Sequence, residues 1–351
     1  MAYRIGLGVC VSVSATLALS ALPMTPVAAD DVVEGPRVAW NHSVWGPQRA
    51  FTRGAETIKE EIERRTEGRW TLTMNYGGAL SAPQDQLDNI SIGAFEMGSF
   101  CAGFHPGKNP TVNALDLPFL PIADADVQIE VVQAFFEHPA VQQDLARWNA
   151  RVIPNIQPAN EVMGRGTPPA ALEDWGGLRV RALGGTAQAL QLLGAVPTTF
   201  PPTEIYENLE RGVIDAASLP FTYAFSAYSV EEQTNWYTAN MGVSVNTCPI
   251  AVNLDAWNAL PEAYQQVFED AVRLAQQELK TAFAAVDAPY LEELEARGLT
   301  RIAYDEATLE QLQELAGGPL WAEWVESASA AGLPAQELLD LILETAEQAR
   351  N

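Results

Sequence analysis

Two arginines stand two residues apart in the run Leu178-Arg179-Val180-Arg181. A guanidinium is a planar fork that meets a carboxylate with two parallel hydrogen bonds. The run is short and half apolar, as a strand should be, and alternation puts both arginines on one face. Gly184-Gly185 follows closely, so Arg181 falls near the strand's carboxyl end. Ligands in open α/β sheets bind just beyond such ends. From the residues alone, Arg181 either holds an anionic ligand or pairs with one of the many surface acids. Aromatic residues are available to line the rest of a site: Trp40, Trp45, Phe100, Phe104, Phe221 and Tyr223 all fall at expected strand ends or loops. Some belong to the core, where their area contributes most. Those facing a cleft would stack on an aromatic acid or cage a quaternary amine. His42 and Glu161 are lesser candidates, because a lone histidine is more often a hydrogen-bonding surface or core residue.

Catalytic signatures are missing from the sequence. It has no His-Glu-x-x-His, no Walker loop and no Gly-x-Gly-x-x-Gly after a strand. Met241 to Asn246 begins like a nucleophile elbow and lacks its final glycine. Metal binding is unsupported, since there is no Cys-x-x-Cys and the three histidines are far apart. The sequence therefore points to binding rather than turnover, with no cofactor.

The elements around Arg181 alternate. Leu178 to Arg181 reads as a strand, Ala189 to Leu193 as a helix closed by Gly194, and Ala195 to Phe200 as a second strand. A helix from Ile205 to Arg211 and a strand beginning at Val213 follow. This alternation predicts a parallel α/β layer. Earlier, Val38 to Trp40 is an expected strand. Gln48 to Arg65 is a helix with Phe51, Ala55, Ile58 and Ile62 on one face, and Trp70 to Tyr76 is a half-buried strand. Asp124 to Asn149 is helical in pattern, and Arg151 to Ile156 reads as a strand. Pro261 to Gly298 is almost all helix former, with a break expected at Pro289. Leu309 to Asn351 is helical, acidic and expected to pack on a second domain.

The chain has 351 residues, enough for two domains with their own cores, and its 48% hydrophobic content is too high for a disordered chain. Its 45 acidic and 20 basic residues give a formal charge of -25, with no basic patch for nucleic acid. Residues 1–29 resemble a secretory signal: Arg4, then a mostly apolar stretch, then Val27-Ala28-Ala29 before Asp30. Pro23 and Pro26 argue against a membrane anchor, so the mature chain is expected in the periplasm. Cys101 and Cys248 remain after cleavage. Export permits a disulfide between them, while free cysteine is also a common core residue.

One long spaced pattern carries a resemblance. Asp174, Gly177, Arg181, Leu193-Gly194-Ala195, Pro197, Glu204, Tyr206, Leu209 and Gly212-Val213-Ile214-Asp215 fall in a frame that resembles the solute-binding subunits of tripartite ATP-independent periplasmic (TRAP) transporters. Asp116-Leu117-Pro118-Phe119-Leu120 and Asn253 to Trp257 match the same family. The resemblance implies an α/β, two-domain, type II-like periplasmic-binding-protein clamshell with a long helix spanning both domains. It implies a first domain of 30–157 plus about 243–285, and a second of 158–242 plus about 286–351. The family's carboxylate-binding arginine falls on Arg181. Where some members carry a second arginine, this chain has Asn160-Glu161, and where many have a polar pair it has Ser218-Leu219. Asn160, Glu161 and Ser218 are thus expected pocket residues, with one charged anchor and an apolar remainder. The implied ligand is a small monocarboxylate with an apolar, aromatic or zwitterionic remainder. The implied partner is a permease of two membrane subunits, and the receptor is expected to be monomeric. Two other readings stay open: a periplasmic hydrolase on a similar scaffold, and a sensor module for a receptor kinase.

Overall fold

The computed structural model describes residues 32–104 and 106–350. The expected signal segment, residues 1–29, lies outside them. Eleven strands among the described residues form two mixed sheets. The first holds β1 (Val38–Ser43), β2 (Trp70–Asn75), β3 (Met97–Ser99), β4 (Ala150–Ile153) and β10 (Ile250–Asn253), in the order β2-β1-β3-β10-β4. The second holds β5 (Asn160–Gly164), β6 (Arg179–Arg181), β7 (Val196–Thr198), β8 (Ala216–Pro220), β9 (Trp236–Thr238) and β11 (Thr300–Ile302), in the order β11-β9-β5-β8-β6-β7. Both have a parallel half, β2-β1-β3 and β8-β6-β7, as short βαβ crossovers require. Both also contain antiparallel pairs, β10 with β3 and β4, and β5 with β8 and β9.

The helices are α1 (Arg53–Arg65), α2 (Gln86–Ser91), α3 (Ala125–Glu137), α4 (Pro139–Ala146), α5 (Gly184–Leu192), α6 (Ile205–Glu210), α7 (Tyr223–Ala227), α8 (Leu254–Asn258), α9 (Glu262–Ala296), α10 (Glu306–Ala330) and α11 (Ala335–Arg350). The expected alternation is present as β6-α5-β7-α6-β8, although β8 starts at Ala216 rather than Val213. The helical stretch after Asp124 is two helices, parted where Pro139 starts α4 and His138 caps it. His138 Nδ1 accepts the Ala140 N–H.

Three segments join the sheets: β4 to β5, β9 to β10, and α9 on its way to β11. At 35 residues, α9 is about 52 Å long at 1.5 Å per residue. Its buried stripe of Tyr264, Phe268, Ala271, Ala275, Leu279 and Phe283 recurs at helical spacing. The early part packs with Trp40, Ile58, Ile62 and Trp70, where Trp70 stacks on both Tyr264 and Phe268. The later part packs with Tyr223, 4.8 Å from Phe283 between ring centroids. The helix does not break at Pro289. Tyr290 and Leu294, both buried just beyond it, hold the next turns in the core, and that packing outweighs the lost backbone hydrogen bond. The C-terminal tail also departs from expectation. α10 packs on α5, but α11 packs on α3, beside the first sheet.

Candidate functional site

Arg181 is the last residue of β6, an interior strand flanked by β7 and β8. It is 1% exposed, among the largest fully buried side chains. Its Nε donates to the Phe200 carbonyl at 3.0 Å and its Nη1 to the Ser218 carbonyl at 3.2 Å. These two carbonyls fix the plane of the fork and leave Nη2 and one Nη1 hydrogen without an acceptor among the described residues. Burial pushes the guanidinium down to about 10, with Tyr228 opposing, so it remains a cation at neutral pH. No carboxylate among the described residues pairs with it. An unpaired buried charge is costly, and the cost falls when an anion arrives.

The arginine opens onto a tight cavity of about 30 Å³. Trp45, Phe51, Phe104 and Tyr223 supply its aromatic walls, and Leu183, Pro202, Leu219 and Ala224 its aliphatic ones. Phe51 stacks on Tyr223 at 6.5 Å, and Trp45 meets Phe104 edge-on at 6.4 Å. Gln157, in the β4–β5 crossing, is spent internally: Oε1 accepts from the Tyr223 hydroxyl at 2.6 Å, and Nε2 donates to the Asn246 carbonyl at 2.9 Å. These bonds tie both strand crossings and α7 to one wall. Cys101 and Cys248 form a disulfide that also lines the cavity, the rarer of their two fates. No acidic side chain among the described residues lines it.

Of the residues singled out from sequence, Arg181, Trp45, Phe104, Leu219 and Tyr223 meet at this cavity. The others do not line it. Trp40 is edge-on to Trp70 at 4.9 Å, inside the core under α9. His42 is fully buried in the first sheet beside Ser99 Oγ at 3.3 Å, and burial pushes it down to about 3, so it is neutral. Phe100 is a core residue whose N–H is bonded to Pro249. Phe221 stacks on Tyr237 at 5.9 Å. Glu161 uses its carboxylate on Thr238 Oγ1 and on the Met241 and Gly242 N–H groups, which pins the β9–β10 crossing. Asn160 stands one step back, donating to Asn246 Oδ1 at 3.0 Å. Ser218 contributes its carbonyl to Arg181, while its hydroxyl is buried without a partner.

Arg49 is the main residue that sequence reasoning missed. It precedes α1 and brings a second guanidinium to the cavity, so the expectation of one charged side chain there gives way to two. Its Nη1 donates to the Trp45 and Pro47 carbonyls, each at 2.8 Å. A signal was available: no acid lies within four residues of Arg49, in a chain rich in acids. Phe51, Tyr228 and Asn246 were also missed. Phe51 had been read only as helix core.

Residues 41–327 match the bacterial extracellular solute-binding proteins, family 7. The chain belongs to that family. Among curated relatives of this family 7 chain, a monocarboxylate 2-oxoacid-binding periplasmic protein of Nostoc sp. is 27% identical over 284 residues, covering 80% of this chain and 78% of that one. A marine metagenome TRAP solute-binding protein specific for aromatic acid ligands superimposes with a TM-score of 0.80. It is 20% identical and covers 90% of this chain and 100% of the other. A TRAP solute-binding protein of Rhodoferax ferrireducens, crystallised with benzoate, also gives 0.80, at 17% identity, with 89% and 98% covered. These likenesses establish the two-domain fold of family 7 with its long helix α9. Among the described residues, no helix is long and apolar enough to cross a membrane.

Proposed function

We propose that the chain is a TRAP-type periplasmic receptor that captures one small monocarboxylate with an apolar or aromatic remainder and passes it to a membrane permease of two subunits. The observation that carries this reading is Arg181: a buried cation without a carboxylate partner, in a cavity free of acids. The walls suit a ring or branched chain. Arg49 offers some counter-charge to a second carboxylate, but it is only half-buried, and among the described residues Arg181 is the only fully buried arginine. The binding preferences of the Nostoc, metagenome and Rhodoferax proteins run the same way. The lobes divide at the two strand crossings, near 157 and near 243, and close around the ligand by hinge motion. Among the described residues that line the cavity, the two cysteines are bridged, which fits a binding role.

A thermal-shift screen of monocarboxylates, short diacids, aromatic acids and betaines tests this reading, followed by calorimetry on the hits. A monocarboxylate should bind best and be recovered chemically unchanged. A short diacid or a betaine as the tightest ligand, or steady product formation, would overturn it.

A further inference from the structure

Tyr228 follows α7 on the second-sheet side and is half-buried in the cavity wall, with its hydroxyl fully buried. Its hydroxyl has no hydrogen-bond partner in the protein. The Trp45 indole lies nearby, but no bond of ordinary geometry forms between them. A buried hydroxyl left unpaired costs free energy, and a ligand atom that pairs with it recovers that cost. Burial pushes this hydroxyl up, ahead of the opposing pull of Arg49 and Arg181, so it is neutral and able to donate.

Arg49 reaches the same place from the first-sheet side. Its guanidinium carbon lies 4.9 Å from the Phe51 ring centroid, 5.7 Å from Tyr228 and 5.8 Å from Trp45. Nε and Nη2 have no acceptor among the described residues. Gly46 makes the approach possible. A Cβ there would sit 2.5 Å from the Tyr228 hydroxyl and 3.0 Å from Arg49 Nη1, and its φ of +69° already favours glycine. Two donors from opposite sides of the cavity therefore converge over one glycine.

The same geometry excludes a class of ligand. An aromatic cage for an ammonium group needs open ring faces. Here the protein's own Arg49 occupies three of them, and the lining offers no acid as counter-ion.

We propose that Tyr228 and Arg49 form a second polar recognition point, which reads a hydroxyl or oxo oxygen carried by the acid alongside its carboxylate. The ligand class is then a hydroxy or oxo acid on an apolar frame, not a plain acid and not a zwitterion. This rests on the receptor reading above, with Arg181 holding the carboxylate.

The test is calorimetry of the full mature chain with phenylacetate, mandelate, phenylglyoxylate and phenylglycine, repeated on Tyr228→Phe and Arg49→Gln. In the native protein the better of mandelate and phenylglyoxylate should bind at least about tenfold more tightly than phenylacetate, since a site built to pair a ligand oxygen rejects the analogue without it. Phenylglycine should bind more weakly than phenylacetate. Tyr228→Phe deletes only an unpaired oxygen and should fold normally, while the oxygen preference falls below about threefold. Arg49→Gln should reduce the preference as well. Phenylacetate binding as tightly as the oxygenated acids, phenylglycine binding as tightly as mandelate, or an unchanged preference in Tyr228→Phe overturns this inference and leaves the receptor reading standing. No binding by any carboxylate of this panel or of the wider thermal-shift screen overturns both.

Discussion

Arg179 and Arg181 leave the same strand two residues apart and end in opposite surroundings. Arg179 is exposed and forms a two-pronged ion pair with Asp215, its Nε 2.9 Å from Oδ2 and its Nη2 2.5 Å from Oδ1. Arg181 is buried and meets only backbone carbonyls. The difference comes from their place in the sheet. The Arg179 side chain stands where Asp215 enters β8, at solvent. The Arg181 side chain lies under Phe200 and Ser218, where the chain closes over the strand ends.

That contrast gives the first prediction. Arg181→Ala should weaken binding of the best carboxylate tenfold to a hundredfold, since a charge-assisted pair contributes about 1.5–3 kcal/mol and about 1.4 kcal/mol is one decade. Arg181→Lys should recover little, because an ammonium does not reproduce the fork. Arg179→Ala should cost less than about threefold, as expected for an exposed pair. Calorimetry on the three variants checks this. Equal losses at both positions would mean that the anion is held elsewhere.

What the sequence made legible follows from how local each signal is. The strand carrying Arg181, the glycines after it and the buried face of α1 are written in neighbouring residues, and the structure has them. Arg49 was not legible because its direction is set by the Trp45 and Pro47 carbonyls and by three rings, one of them 179 positions away in Tyr228. The Cys101–Cys248 pairing spans 147 residues and leaves no local trace. Trp40 and His42 look like site residues in a polar-aromatic turn, yet α9 and Ser99 claim them for the interior. The attachment of α11 to α3 depends on tertiary packing that an amphipathic pattern does not specify.

Reducing the Cys101–Cys248 bond should destabilise the fold. A closure of 147 residues falls at the upper end of disulfide stabilisation, about 2–5 kcal/mol. For a chain of this size the melting temperature should fall by about 3–8 °C. Because both sulfurs line the cavity, ligand affinity should fall too. Scanning calorimetry of the Cys101→Ser/Cys248→Ser double variant, with and without ligand, reads both effects. An unchanged melting temperature would contradict the expectation.

Stability should decline as pH rises through the neutral range. Asp116 is raised from 3.8 to about 7 by burial, against the opposing hydrogen bond from Thr247, whose N–H donates to Oδ1 at 2.6 Å. Glu161 is raised from 4.5 to about 6, again mainly by burial. A raised carboxyl holds its proton more tightly when folded. Its contribution is complete below the unfolded value and is lost as pH rises through the folded one. The windows are therefore roughly pH 3.8 to 7 and 4.5 to 6. Asp116→Asn keeps the acceptor for Thr247 and should flatten the decline, gaining on the order of a few kcal/mol at pH 8. Melting curves from pH 4 to 8 decide it, and parallel curves for the two proteins would refute the assignment.

Gly185 marks where α5 meets the Asp116-Leu117-Pro118 segment. A Cβ on Gly185 would lie 2.2 Å from the Asp116 carbonyl oxygen and 2.7 Å from the Pro118 nitrogen. Both neighbours are backbone, so the contact has no flexible side chain to yield. A Cβ on Gly184, at φ +51°, would lie 2.9 Å from the Asp116 carboxylate. Alanine is a better helix former than glycine by about 1 kcal/mol, so Gly185→Ala should favour α5 locally. Any loss must therefore come from pushing α5 away from Asp116. Because α5 starts three residues after Arg181 and Leu183 lines the cavity, that shift opens the cavity. Ligand affinity should drop at least tenfold while secondary structure is retained, and the ligand-saturated protein should scatter as a larger particle than the native one. Native affinity and an unchanged radius of gyration would show that this contact is not part of the ligand-bound state.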